Sequence, residues 1–90
     1  MARLGMDVDE VERISGQLGQ QHGNLEQLIN QVTTLVNSAV AAWDGQDAQH
    51  FQTTWNSQYK PNLTQASQAI QELSETAKRN AQEQREVSGR

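Results

Sequence analysis

Residues 43–47 read Trp-Asp-Gly-Gln-Asp and separate two long stretches whose apolar residues recur at helical spacing. Gly45 permits a backbone turn that other residues resist. Asp44 is placed to cap the second helix, and Asp47 at its third position favours the helix dipole. Five residues or fewer between long helices imply antiparallel packing. The segment therefore predicts an all-α, antiparallel two-helix hairpin with a turn over residues 43–46.

The stretch before the turn carries a heptad pattern on one helix face. This seam comprises Val8, Val11, Ser15, Leu18, His22, Leu25, Ile29, Val32, Val36, Ala39 and Trp43, and it is flanked by Ile14, Leu28, Leu35 and Ala42. Asp7 is a predicted N-cap, and Glu10 completes a capping box. We predict a helix over residues 7–42, about 54 Å long, after a frayed tail over residues 1–6. A helix of this length needs an equally long neighbour.

The stretch after the turn is predicted to form a second helix over residues 47–78. Its apolar face comprises Ala48, Phe51, Trp55, Tyr59, Leu63, Ala66, Ile70, Leu73 and Ala77. The phase of this face shifts before Leu63, and Pro61 removes a backbone hydrogen bond, so we expect a kink near Ser57–Lys60. Apolar residues then become sparse, which predicts a mobile or conditionally helical tail over residues 79–90.

Gly16, Gly19 and Gly23 lie inside the first predicted helix, three and four residues apart. Each costs about 1 kcal/mol of helix stability relative to alanine. One interpretation is a groove where a partner helix approaches closely. The other is a locally weak helix with no contact role, and the sequence leaves both open.

Composition excludes several classes of protein. Ninety residues form one domain at most, and few aromatic residues and no cysteine leave a small core that usually needs a partner. The formal charge of −4, without a basic stripe, argues against nucleic-acid binding. No apolar run approaches the length of a membrane span, and residues 1–12 lack the apolar region of a signal peptide. Any export is therefore expected to be independent of a signal peptide.

Catalytic and metal chemistry have little support in the sequence. Asp44, Asp47 and His50 are spaced three apart, but three ligands from one helix start make a weak metal site, and capping already accounts for both aspartates. His22 occupies a seam position, where a packed histidine is the usual explanation. No phosphate loop or pair of nucleophile and base is present. We expect no enzymatic activity, no metal or other cofactor, and no small-molecule substrate.

Tryptophan directly before a helix–helix turn is unusual, because such turns are mostly polar. Trp43 either packs against a second chain or closes the core of its own chain. A chain near a hundred residues with Trp-x-Gly between two long helices resembles the WXG-hundred family, the Esx-type substrates of type VII secretion systems. Phe51-x-x-x-Trp55 and Gly5-Met6-Asp7-Val8 add to a resemblance that covers nearly the whole chain.

The resemblance implies a hairpin that pairs with a second, related hairpin into a four-helix bundle and is exported from the cytoplasm in folded form. It also implies that Trp43, Asp44 and Gly45 form the turn part of the export signal. The family's second export motif, a C-terminal Tyr-x-x-x-Asp/Glu, is missing: Tyr59 is the sole tyrosine, and Leu63 follows four residues later. This departure favours a heterodimer, whose partner carries the tail signal, over a homodimer.

The pattern and the resemblance together predict where partners bind. The expected subunit interface comprises Ile14, Leu18, Leu25, Leu28, Val32, Leu35, Phe51 and Trp55. The polar seam residues Ser15 and His22 are candidates for setting partner choice. Ala81 and Val87 are the apolar anchors that the tail offers to a secretion ATPase or a partner tail. The alternative function is a helical adaptor or targeting chaperone for a larger exported toxin.

Overall fold

The structure is a computed structural model that describes residues 5–88, apart from the side chain of Ser88. Helix α1 spans Val8–Ala41, helix α2 spans Gln46–Thr54, a π-helical turn spans Trp55–Tyr59, and helix α3 spans Lys60–Ser88. No strand occurs among these described residues. The predicted all-α helical hairpin is confirmed, since two long helical segments flank one short connection.

The first helix begins directly after Asp7. The Glu10 amide donates a hydrogen bond to Asp7 Oδ1 over 3.2 Å, and the Val11 amide donates to the Asp7 carbonyl over 2.9 Å. Asp7 is thus the predicted N-cap, and acidic residues in the first turn complement the helix dipole. Of the predicted frayed tail, residues 1–4 lie outside the described residues, and Gly5 and Met6 are not helical.

The predicted tail over residues 79–90 is helical as far as the structure describes it, because α3 continues to Ser88. Ala81 is fully buried, and Arg85 forms ion pairs with Asp9 and Glu12 near the start of α1. The two ion pairs join residues more than seventy positions apart, and local apolar periodicity gives no sign of such pairs. Residues 89–90 lie outside the described residues.

The chain divides into two compact units, here called the terminal unit (residues 1–22 and 68–90) and the turn unit (residues 23–67). In the turn unit, Ile29, Val36 and Trp55 form a buried cluster. Leu25, Val32 and Leu63 pack against that cluster. The turn unit therefore holds an apolar core between two antiparallel helical segments.

The terminal unit joins its two helical segments through small polar residues. The Ser15 hydroxyl donates to the Ser74 carbonyl over 2.8 Å, and the Ser74 hydroxyl donates to the Ser15 carbonyl over 2.7 Å. A Cβ at Gly19 would lie 3.5 Å from Ser74 Oγ, whereas one at Gly16 would meet nothing within 4 Å. Buried Ser15 is thus bonded within its own chain.

The burial of α1 follows the heptad prediction from Val8 to Ala39, where every seam residue is buried or half-buried. The predicted face of the second helical segment is wrong in part. Phe51, Tyr59, Ala66 and Leu73 are exposed, and the inward positions are taken by small or polar residues, namely Gln52, Ser67, Ser74 and Ala81. Small residues pack inward there because they allow close approach of two helices, although they carry little apolar signal.

Candidate functional site

The connection between α1 and α2 depends on Gly45. Its φ of 110° and ψ of −177° fall in a region that essentially only glycine adopts. Gly45, and not Asp44, is the N-cap residue of α2, and no side chain caps this helix. Sequence analysis chose Asp44 because aspartate is a preferred capping residue, but α2 begins one residue later than that assignment requires. Both Asp44 and Asp47 are exposed beside the turn.

A groove of about 690 Å³ lies on one face of the turn unit. All four aromatic side chains of the chain line it, namely Trp43, Phe51, Trp55 and Tyr59. The other lining residues are Val32 and Val36 on α1 and Asp47, His50 and Thr54 on α2. The rings of Trp43 and Phe51 are in contact, with centroids 5.6 Å apart at an interplanar angle of 55°. Such a tilted pair adds attraction beyond the buried area alone.

Trp55 belongs both to the core and to the groove. It is only 8% exposed, and its indole N–H donates a hydrogen bond to Thr33 Oγ1 over 3.0 Å. This bond satisfies the buried polar atom and holds the indole across the two helical segments. Trp43, Phe51 and Tyr59 are exposed, by contrast, and make up the accessible part of the groove.

The π-helical turn brings Tyr59 to the same groove as Phe51. In a regular α-helix, the residues four before and four after Trp55 lie about 40° to opposite sides of it. The π turn is closed by a hydrogen bond from the Lys60 amide to the Trp55 carbonyl and accommodates about one extra residue. This extra residue moves Tyr59 back to the side of Phe51. The turn lies in the segment where the sequence shows a shift of apolar phase.

The two faces of the turn unit differ in polarity. Leu28 and Leu35 lie four residues before and three after Val32, so they extend the stripe on which Val32 borders the groove. The opposite flank of α1 carries Thr33 and Asn37. Thr33 Oγ1 accepts a hydrogen bond from the Trp55 indole N–H. Asn37 Oδ1 accepts one from the side-chain amide of Gln52 over 3.1 Å. One face therefore presents apolar side chains, and the other carries hydrogen bonds between the two helical segments.

The predicted interface residues separate into exposed and enclosed groups. Ile14 is 40% exposed, Leu28 50%, Leu35 67% and Phe51 44%. Leu18, Leu25 and Val32 are half-buried, and the last two pack on the core of the turn unit. Trp55 is largely enclosed, and it lines the groove.

The two predicted tail anchors also differ in exposure. Val87 is 54% exposed, whereas Ala81 is fully buried and offers no surface to a secretion ATPase or a partner tail. The assignment of Ala81 is therefore wrong. A lone alanine in a polar segment gives no sign that it packs against distant residues.

Most charged residues belong to the terminal unit. The hydrogen bond from the Arg13 guanidinium holds the pKa of the Glu10 carboxyl below its usual range. Hydrogen bonds to Asp9 and Glu12 raise the pKa of Arg85, which therefore stays protonated throughout the working range. Within residues 5–88, no three His, Asp or Glu side chains are grouped so as to hold a metal ion.

Sequence reasoning did not identify the groove, although it named three of the four aromatic residues. The available signal was their clustering: every aromatic residue of the chain falls between positions 43 and 59. Tyr59, Asp47 and His50 were not assigned to an interaction site. The contribution of Tyr59 depends on the π turn, whose position cannot be read from helical periodicity alone.

Comparison with known proteins connects these features to a family. The sequence model described as WXG100, proteins of 100 residues with WXG, matches residues 3–87. No curated protein and no solved structure gives a significant match. In the described part of the chain, none of the helices combines the length and apolar character needed to cross a membrane.

Proposed function

Because this chain belongs to the WXG100 family, whose members are small helical substrates of type VII secretion, we propose that it is exported as the partner subunit of a related helical hairpin. The two hairpins pair into a four-helix bundle and leave the cytoplasm by a route independent of a signal peptide. The protein acts by binding other proteins and has no catalytic role.

The observation that carries this proposal is the row of exposed apolar side chains on α1. Ile14, Leu28 and Leu35 recur at multiples of seven residues, and each is at least 40% exposed. Leu73 and Val87 on α3 are more than half exposed as well. Large side chains in such a regular row are the ones that a neighbouring helix covers in a bundle.

A charge placed in this row tests the association. Leu35→Asp should leave the helix content of the chain unchanged, because Leu35 contributes little to the core of its own chain. The substitution should abolish the complex with the related subunit from the native host. Light scattering on the two co-expressed subunits measures the mass of the complex. Gln27→Asp is the matched control, since Gln27 is exposed and lies away from the row. A well-folded, monodisperse wild-type monomer at micromolar concentration, unchanged by the related subunit, would contradict the proposal.

A heterodimer is favoured over a homodimer because two copies of this chain would each bring a formal net charge of −4 to the bundle. A partner that carries the Tyr-x-x-x-Asp/Glu motif would supply that part of the export signal. Co-purification from the native host with mass spectrometry identifies that partner. A symmetric four-helix bundle of the chain alone, with a high melting temperature, would argue for the homodimer. Recovery of a large toxin in place of a small hairpin would argue for an adaptor.

Export depends on the turn, and Trp43 is the residue through which to test it. Trp43 is 42% exposed, so Trp43→Ala should retain most of the helix content measured by circular dichroism. Secretion in the native host should nevertheless fall well below the wild-type level. Gln27→Ala, which truncates an exposed side chain outside the proposed interface, is the control. Complete unfolding of Trp43→Ala would show that the ring closes the core of its own chain.

A further inference from the structure

The groove that the four aromatic side chains line, here called the aromatic groove, is the candidate binding surface of the turn unit. Its base is the enclosed Trp55, and its accessible sides are Trp43, Phe51 and Tyr59, each more than 40% exposed. A volume of about 690 Å³ is in the range of ligand pockets, but these exposed walls leave it open along its length. An open apolar groove between two helices suits the face of another helix better than a small molecule, which an enclosed pocket would surround.

Charge indicates what kind of helix fits. The turn unit carries three acidic residues, Glu26, Asp44 and Asp47, against one cation, Lys60, which does not line the groove. Asp47 itself lines the groove. A second copy of this chain would bring a net charge of −4 to an already acidic surface. Charge complementarity therefore argues for a different and basic partner.

The aromatic side chains favour the same partner. Trp43 presents an exposed indole on the groove that Asp47 also lines, and indole faces attract arginine and lysine side chains. An arginine with its planar guanidinium stacks on an aromatic ring and pairs with a carboxylate at the same time. The groove thus offers an apolar floor for anchors and a combined aromatic and acidic end for a cation.

We propose that the aromatic groove binds a helix of a basic partner protein, whose apolar side chains lie over Trp55 while an arginine or lysine stacks on Trp43 and pairs with Asp47. The inference rests on the proposed function, because the occupant is the partner subunit that this function requires. It adds the chemistry of that partner: a helix with anchors at positions i, i+4 and i+7 and a cation beside them.

Synthetic helical peptides test the proposal on the full chain. Three peptides of about 18 residues carry leucines at i, i+4 and i+7 and differ only beside the central leucine, where they have arginine, glutamine or glutamate. Binding is followed by the indole N–H signals of Trp43 and Trp55 in NMR spectra and by calorimetry. The arginine peptide should bind about three- to tenfold more tightly than the glutamine peptide, and the glutamate peptide least tightly. Raising the salt concentration from about 0.15 M to about 0.5 M should remove most of this difference.

Substitutions then assign the preference to the groove. Asp47→Asn should bring the affinities for the arginine and glutamine peptides close together, and Asp47→Lys should reverse the order of the arginine and glutamate peptides. Glu26→Gln removes a carboxylate of the same unit that does not line the groove, so it should leave the preference unchanged. The reversal by Asp47→Lys cannot arise from a loss of folding, because it requires a gain of binding.

Failure of this proposal is distinct from failure of the proposed function. Equal binding of all three peptides, no binding of any, or shifts confined to residues outside the groove would each overturn the groove assignment. The subunit row on α1 and the export assay would be untouched by those outcomes. Normal peptide selectivity in a chain that neither associates with a related subunit nor is exported would instead overturn the proposed function.

Discussion

Among the described residues, those buried in the turn unit are Ile29, Val36, Ala48, Trp55 and Ser67, whereas those buried in the terminal unit are Ser15 and Ala81. The turn unit is stabilised by apolar area around one large indole. The terminal unit relies on the reciprocal Ser15–Ser74 hydrogen bonds and on Arg85 with its two carboxylate partners.

Both units pair two helical segments, but this difference indicates that one unit mainly provides stability and the other mainly fixes the register of the helices. Apolar burial supplies most folding free energy but is tolerant of small shifts in register. Hydroxyl-to-carbonyl bonds contribute less, but their short reach allows only one register of the two helices. We infer that the turn unit supplies most of the stability, and that the terminal unit specifies the alignment of α1 with α3.

The largest effect should come from the indole of the turn unit. Trp55→Ala removes an enclosed side chain and its bond to Thr33, and Trp-to-Ala changes in cores cost about 3–5 kcal/mol. In so small a chain this is enough to unfold most molecules. Urea unfolding at several protein concentrations measures the loss while accounting for association. Trp43→Ala is the control in the same unit, and an equal cost for both substitutions would contradict the distinction between a core indole and a surface indole.

How far the sequence predicts this structure differs between the two helical segments. The seam of α1 was predicted correctly from Val8 to Ala39, because valine, leucine and isoleucine repeat in it with a regular period, but its last predicted member, Trp43, is exposed and lies beyond α1. The inward face of α3 was not, because Ser67, Ser74 and Ala81 carry no apolar signal and pack inward for their small size. Polar pairing across seventy residues, as between Arg85 and Glu12, leaves no local pattern at all.

The candidate site was likewise predictable from the sequence only in part. The turn over residues 43–46 was predicted because Gly45 permits a backbone turn that other residues resist and because two helical apolar patterns meet there. The groove needed the structure, because it depends on the π turn that places Tyr59 beside Phe51. Exposure of Leu28 and Leu35, next to half-buried Val32, likewise depends on which flank of the seam faces the second helical segment.

Glycine substitutions should have opposite signs at the turn and in the helix. Gly45→Ala forces a side chain into a backbone region essentially restricted to glycine, at a cost of about 1–3 kcal/mol. Gly23→Ala lies inside α1, where an added Cβ meets nothing within 4 Å, so it should stabilise the chain by up to about 1 kcal/mol. Thermal unfolding of both variants measures the contrast. If Gly23→Ala instead weakens binding of the related subunit, the glycine stripe is a contact groove, and the interpretation as a weak helix is wrong.

The serine pair of the terminal unit should contribute a smaller amount. Ser74→Ala removes one of two reciprocal hydrogen bonds and should cost about 0.5–1.5 kcal/mol. Ser15→Ala should cost a similar amount, and a double-mutant cycle measures the coupling between them. Thr34→Ala serves as the control, because the Thr34 hydroxyl donates to the Asn30 carbonyl within one helix. Equal effects at all three positions would show that the serines do not join the helical segments in any special way.

The smallest effect on global stability should follow from Arg85→Gln, since exposed ion pairs contribute little in water. Its effect should instead be local. Arg85 lies near the end of α3 and pairs with Asp9 and Glu12 of α1, so its loss should increase hydrogen exchange of the amides from Ala81 to Val87. High salt should produce the same change in the wild-type protein by screening the pairs. Arg13→Gln is the matched control, because Arg13 pairs with Glu10 inside one helix and cannot tether α3. Unchanged exchange in Arg85→Gln would show that buried Ala81 alone keeps this last stretch helical, and the terminal unit would then depend on packing more than on polar pairs.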